Sequence, residues 1–334
     1  MRKAQLIKFF IWFFTSATIS FGAFGQDSHL SQFFASPLYE NPALCGNFMG
    51  DVRITGNMRS QWASVTVPYV TTALTYEQIA YPNSFGFHIM NSRAGNGRFN
   101  VLTFNANFTN QFDLNRHNVL FLGIQGGFIQ KGFDYLRLTW NNQYEKGSGG
   151  RINRGSGSGE LFTRTSIFLP DISIGALWQH KDLSNRINPS VGLAVFHINK
   201  PKESFLNISN KLPRKFHVHG GMDINLNRLM TINGSMIYMQ QGNFSEFVFL
   251  FYNMYYLRDA KAFILSGVSF RTTANKDAGI VHLGLKRKKF TYRLSYDVNV
   301  SSLNTFSKGR GAFEFSIQYI KSSIPRNFHK CPRL

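Results

Sequence analysis

Alternation of apolar and polar residues with a period of two runs through most of this chain, most clearly near its end. From Tyr292 to Val300 one face carries Tyr292, Leu294, Tyr296, Val298 and Val300, and the other carries Arg293, Ser295, Asp297 and Asn299. A helix would mix these sets over its surface, whereas a strand sends successive side chains to opposite faces. Val281, Leu283 and Leu285 alternate in the same way with His282, Gly284 and Lys286. So do Phe313, Phe315, Ile317 and Tyr319 with Glu314, Ser316 and Gln318, and Leu102, Phe104, Ala106 and Phe108 with Thr103, Asn105 and Asn107. Further strands are predicted near 52–63, 69–79, 84–92, 116–130, 171–180, 190–198, 215–226, 229–240, 244–257 and 261–270. The total is about fourteen, an even number, as in bacterial outer-membrane barrels.

Many of these segments have the roughly nine to eleven residues that a tilted strand needs to cross the hydrocarbon, against about five or six in soluble sheets. Tyr252, Tyr255 and Tyr256 near one strand end, with Tyr292 and Tyr296 in another strand, suit the aromatic girdles of a lipid interface. The pattern therefore predicts an all-β fold, a transmembrane antiparallel β-barrel. At the amino terminus Arg2, Lys3 and Lys8 precede a mostly apolar run from Phe9 to Phe24, and Ala23-Phe24-Gly25 offers small residues for a peptidase. This reads as a cleaved signal peptide over 1–25, with Gln26 as the mature start. No later stretch has the ~18 consecutive apolar residues of a spanning helix. Strands closed into a barrel are then the remaining way to cross, since in lipid every backbone polar group must be paired internally. The expected layout is a signal at 1–25, an amino-terminal segment at 26–50, a barrel over 51–322 and a tail over 323–334.

Composition sharpens this. Charged residues are 16%, aromatics reach 15% with 34 Phe, and mean hydropathy is −0.17, too polar for a bundle of membrane helices and suited to strands with one apolar and one polar face. Lys and Arg number 37 against 17 Asp and Glu, a net charge of +20. The basic residues are scattered, with no recognition-helix, zinc or RNA-binding signature, so a nucleic-acid partner is not expected. At a barrel rim they would meet anionic lipid headgroups or an acidic partner.

Catalytic and cofactor chemistry is absent from the motifs. The nine histidines form no HExxH, no serine sits in GxSxG, and the glycine-rich stretch from Asn141 to Leu161 has neither dinucleotide nor P-loop spacing and reads as a flexible loop. His217 and His219 share a strand face, and without a third ligand they read as lumenal or rim residues. Asp297 and Arg293 share the polar face of one strand and read as a structural lumenal ion pair. No catalytic, cofactor or metal residue is assigned.

The chain past the signal reads Gln26-Asp27-Ser28-His29-Leu30-Ser31-Gln32-Phe33-Phe34, then Pro37-Leu38-Tyr39 and Asn41-Pro42-Ala43, with Gly46 and Arg59-Ser60-Gln61-Trp62 following. Leu122 to Gly127, Leu136 to Tyr144, Phe196 to Pro201, His219-Gly220-Gly221, Ser295-Tyr296-Asp297, Gly311 to Ser316 and Cys331-Pro332-Arg333 come after it in order. Together these blocks resemble the PorP/SprF family of outer-membrane proteins, over nearly the whole mature chain. The resemblance implies a non-enzymatic component of the type IX secretion and gliding machinery of Bacteroidetes-type bacteria, in the outer membrane. Its expected partners are machine components on the periplasmic side or a large surface adhesin, together with outer-membrane lipid. The rival reading is a passive or substrate-specific channel. Pro37 and Pro42 restrict the backbone, and Phe33, Phe34, Leu38 and Tyr39 need burial, so the amino-terminal segment is expected to pack as a plug at the periplasmic mouth or in the lumen. Phe33, Phe34, Pro37, Leu38, Tyr39, Asn41 and Pro42, with Cys331, Pro332 and Arg333, are the candidate partner-docking residues. An even strand count puts both termini in the periplasm, an oxidising compartment where Cys45 and Cys331 are candidates for a disulfide.

Overall fold

A computed structural model describes residues 27–322, apart from 63–66, 146–150, 154, 158, 160–163, 183–185, 206–209, 274–277 and 301–309. Its strands are β1 (Val52–Gln61), β2 (Tyr69–Ala80), β3 (Asn83–Ala94), β4 (Phe99–Asp113), β5 (Asn118–Gly132), β6 (Ser166–His180) and β7 (Ile187–Phe196). The second half adds β8 (Lys215–Asn225), β9 (Met230–Gln241), β10 (Phe244–Leu257), β11 (Ala262–Thr272), β12 (Ala278–Arg287), β13 (Phe290–Asn299) and β14 (Arg310–Lys321). Each pairs antiparallel with its sequence neighbours, and β14 pairs with β1 from Val52↔Lys321 to Gln61↔Ala312. The sheet is thus a closed barrel of the fourteen strands the alternation predicts, and closure leaves no unpaired edge. Among the described residues no helix is long and apolar enough to cross a membrane.

Burial inverts the pattern of a soluble protein. Outward side chains are apolar and exposed, such as Leu74 at 52%, Phe270 at 57% and Leu283 at 57%, while inward ones include Glu77 and Glu314 at 0%. An apolar band on the outer wall meets hydrocarbon at no cost, and the polar inner face finds partners inside. Phe87, Phe104, Phe128 and Phe168 form a ladder of rings across β3 to β6, with centroids 6.3, 5.6 and 4.7 Å apart. Tyr255, Tyr292 and Tyr296 face outward as a girdle requires. Tyr252 and Tyr256 instead turn inward, Tyr252 against Phe34 and Tyr256 against Phe263, because they share the parity of the buried Val248 and Leu250.

The rims differ. At the rim where β1 starts and β14 ends, the connections are 81–82, 114–117, 181–186, 226–229, 258–261 and 288–289, all short. At the other rim lie 62–68, 95–98, 133–165, 197–214, 242–243, 273–277 and 300–309, including the glycine-rich stretch. They are called here the short-turn rim and the long-loop rim.

Candidate functional site

Residues 27–50 precede β1 and run inside the barrel, against the inward faces of strands all around the wall. Proline shapes the path: a four-residue helix Pro37–Glu40 and a 3-10 turn Pro42–Leu44 each begin on proline, where the missing N–H costs nothing. The Asn41 side chain caps the second turn by accepting from Ala43 N–H at 2.8 Å, as an N-cap asparagine does.

The segment is held in three places. Nearest the long-loop rim, the Asp27 carboxylate lies 2.8 Å from His197 Nε2 and 2.9 Å from Lys215 Nζ, and His197 Nδ1 lies 2.8 Å from Asp171. Burial alone would raise the Asp27 carboxyl, but Lys215 and His197 outweigh it and hold it well below its ordinary value. Burial would lower His197, yet Asp27 and Asp171 bring it up to about 9.

Next, Ser31 and Gln32 meet four buried charges. Their backbone N–H groups donate to the two oxygens of Glu314 at 2.7 and 3.0 Å, and Ser31 Oγ donates to Asp297 at 2.8 Å. Arg59 bridges Asp297 at 2.9 Å and Glu314 at 3.3 Å, and Arg271 reaches Asp297 at 3.2 Å. Two positive and two negative groups from β1, β11, β13 and β14 thus balance around one turn of chain, as buried charges must. The ion pair expected between Asp297 and Arg293 is not formed: Arg293 donates to Gln318 at 3.4 Å. Residues four apart on a strand stand about 13 Å apart, out of ion-pair reach, so Asp297 finds its partners on other strands.

Nearest the short-turn rim, Asn41, Pro42 and Ala43 lie on glycine. A Cβ on Gly123 would come within 2.5 Å of Ala43 N, one on Gly175 would collide with Asn41 Oδ1, and one on Gly192 would stand 3.0 Å from Asn41 Nδ2. Asn41 Nδ2 donates to the carbonyls of Ala176 at 3.1 Å and Leu193 at 3.2 Å and lies 2.9 Å from His219 Nε2. His217 Nδ1 donates to Glu40 O at 2.8 Å, so both histidines of the expected lumenal pair serve this segment. Burial pushes the Glu40 carboxyl up to about 8. Gly46 N–H donates to Glu77 at 3.1 Å, itself paired with Arg53 at 2.7 Å.

The candidate docking residues fall inside this arrangement. Leu38 and Asn41 are fully buried, Pro37 and Pro42 are buried, and Phe34 and Tyr39 are half-buried. Phe33 packs with Ile237, Val248 and Leu250. They face the barrel interior. The contacts also extend beyond a mouth, from Asp27 near one rim to Asp51 at the other, where Asp51 N–H donates to Lys321 O at 2.8 Å. Cys45 is buried and has no disulfide partner among the described residues; Cys331, Pro332 and Arg333 lie outside the described residues, as do the signal segment and the tail. The glycine cradle and the Arg59 cluster were missed in the sequence; the Leu122 to Gly127 block and the polar inner face were the available signals.

On the long-loop side of the segment lies a cavity of about 360 Å³, whose lining includes Tyr39, Trp62, His88, Arg93, Lys131 and Lys215. Among the described residues no group of three or more His, Cys, Asp or Glu is placed to hold a metal.

The family described as "Type IX secretion system membrane protein PorP/SprF" matches residues 23–319. No curated protein matches the chain. Among solved structures, the toluene transporter TodX of P. putida is 8% identical with a TM-score of 0.53, covering 87% of this chain and 95% of its own. The CymD monoaromatic hydrocarbon channel is 9% identical with a TM-score of 0.50, covering 86% and 93%. At such identities the likeness concerns the barrel alone.

Proposed function

Because the chain belongs to the PorP/SprF family of type IX secretion system membrane proteins, we propose that it is a non-enzymatic, occluded outer-membrane scaffold of that machine. Its work is to support export or surface anchoring of secreted proteins or adhesins, and its partners are machine components at the periplasmic rim or an adhesin at the cell surface. Family membership over residues 23–319 is the observation that carries this reading. The short-turn rim is the periplasmic one, since outer-membrane barrels carry short periplasmic turns and longer extracellular loops. Residues 1–25 are removed on export. The segment at 26–50 is a plug, supported by its three holds on the wall, and docking falls to the rims and to the tail at 323–334, where Cys331, Pro332 and Arg333 lie.

Affinity capture of the tagged full chain from gently solubilised outer membranes tests this. Secretion or adhesin components are expected among the co-purifying proteins, and their absence across several mild detergents would overturn the reading. The channel reading is favoured by the barrel's likeness to hydrocarbon channels and by the cavity. Planar-bilayer recordings separate the two, because a plugged scaffold is nearly silent and an open channel conducts.

A further inference from the structure

The short-turn rim is unevenly charged. Arg258 and Lys261 lie in the β10–β11 turn, Arg287, Lys288 and Lys289 at the β12–β13 turn, and Lys321 at the end of β14. All six are exposed. The pairing places them side by side: Ala262, next to Lys261, faces Arg287, and Ile320, next to Lys321, donates its N–H to Lys289 O at 2.9 Å. Asp259 is the one acid among these turn residues, and none of the six forms an ion pair among the described residues. Elsewhere on this rim the β2–β3 turn, Tyr81-Pro82, is uncharged, Asp113 and Asp182 accompany Arg116, Lys181 and Arg186, Arg228 is the charged residue of the β8–β9 turn, and Asp51 lies beside Lys321.

One further observation says what this arc meets. Arg287 continues the outward row Val281, Leu283 and Leu285, so its side chain leaves the wall where the apolar band ends. Beside it Phe290 faces outward, its ring 5.1 Å from Tyr319 and 6.1 Å from Tyr292. Aromatic rings with basic residues just beyond them match the depth at which lipid phosphates lie.

We infer that this arc, from the β10–β11 turn to the end of β14, is a docking surface for anionic phospholipid headgroups. It orients the barrel in its leaflet and gathers acidic lipid on one side. The inference needs the membrane-spanning wall but no secretion partner, so it stands or falls apart from the proposed function.

The test uses the purified mature chain in mixed micelles with equal amounts of phosphatidylglycerol and phosphatidylcholine, and native mass spectrometry counts the lipids retained. Phosphatidylglycerol is expected to exceed phosphatidylcholine by at least about tenfold at low salt, and the excess should collapse at ~1 M salt. The variant R258Q/K261Q/R287Q/K288Q/K289Q should lose it, while R98Q/K200Q/K211Q on the long-loop rim should keep it. Should the first variant fail to fold, K288G/K289N places glycine where Lys288 has a φ of +53°, as a two-residue hairpin turn prefers, with two fewer charges, and it should lose at least half of the excess. Equal retention of the two lipids, or an excess that survives these charge-removing changes, overturns the inference. So does an excess lost equally from both rims, which would reflect net charge alone.

Discussion

Around Ser31 and Gln32 the amino-terminal segment meets four buried charges, whereas around Asn41 to Ala43 it meets glycine. The first hold is electrostatic and demanding: Glu314 is fully buried and depends on Arg59, Asn57 and two backbone N–H groups to be tolerable there. The second is steric. Gly175 leaves room for Asn41, Gly123 for Pro42 and Ala43, and Gly192 for the His219 ring against which Asn41 lies, while Asn41 satisfies two strand carbonyls. Removing a charge partner strands an ion in the interior, while adding a methyl to the cradle only pushes chain aside. The two ends should therefore fail differently.

The largest effect is expected from Arg59→Met, which leaves Asp297 and Glu314 with Arg271 as their remaining cation. Breaking a buried pair in this way costs about 3–5 kcal/mol. A urea titration that follows the unheated, fast-migrating gel band would read it; a loss below ~1 kcal/mol would show that water or other groups already solvate these charges. Gly175→Val should cost less, about 1–3 kcal/mol, as overpacking does. Its effect should be local: the wall stays folded, but limited proteolysis cuts between Phe33 and Asn41, where the parent chain resists. Equal resistance in both proteins would mean that Asn41 does not lie on Gly175.

The wall was legible in the sequence and the holds on the segment were not, for a physical reason. A strand's two faces are set by adjacent residues, so Leu294 and Ser295 announce their sides locally, and fourteen such segments give a barrel by closure. Contacts such as Asn41 with His219, or Ser31 with Glu314, depend on which strands closure brings round. Nothing near Asn41 signals them. Spacing misled at Asp297 and Arg293, where four residues make neighbours on a helix and strangers on a strand. Apolar character showed that Phe33 and Leu38 need burial but not where, and the structure buries them within the lumen.

A titration separates the Asp27 hold from the charge cluster. His197 is raised from 6.5 to about 9, so the stability it lends is fully present below about pH 6.5 and is lost as pH rises through about 9. Asp27 is lowered and stays ionised over that window, contributing no change. Glu40 is raised from 4.5 to about 8, so the folded state favours its neutral form, and its contribution also declines as pH rises toward 8. Both groups loosen the segment in the same direction. Protease cutting near Ser28 should increase on the order of tenfold between pH 6 and pH 9, and His197→Gln should remove His197's share of that rise. A flat profile would show that neither group changes protonation on release.

The smallest expected effect decides whether the two ends act independently. Cys45 is fully buried, and burial pushes its thiol up, so in a Cys331→Ser background it should react slowly with maleimide. Cys45 follows the cradle directly, and Gly86 leaves no room beside its sulfur, since a Cβ there would stand 2.9 Å from Sγ. Gly175→Val should therefore speed labelling strongly. In Arg59→Met, by contrast, the rate should stay within about twofold of the parent if glycine alone holds the Cys45 end, as expected when separate sites do not couple. Acceleration by Arg59→Met as large as that caused by Gly175→Val would mean that the segment leaves as one piece. In that case the charges around Ser31 govern the whole segment, and the cradle only positions a chain whose retention is decided near the other rim.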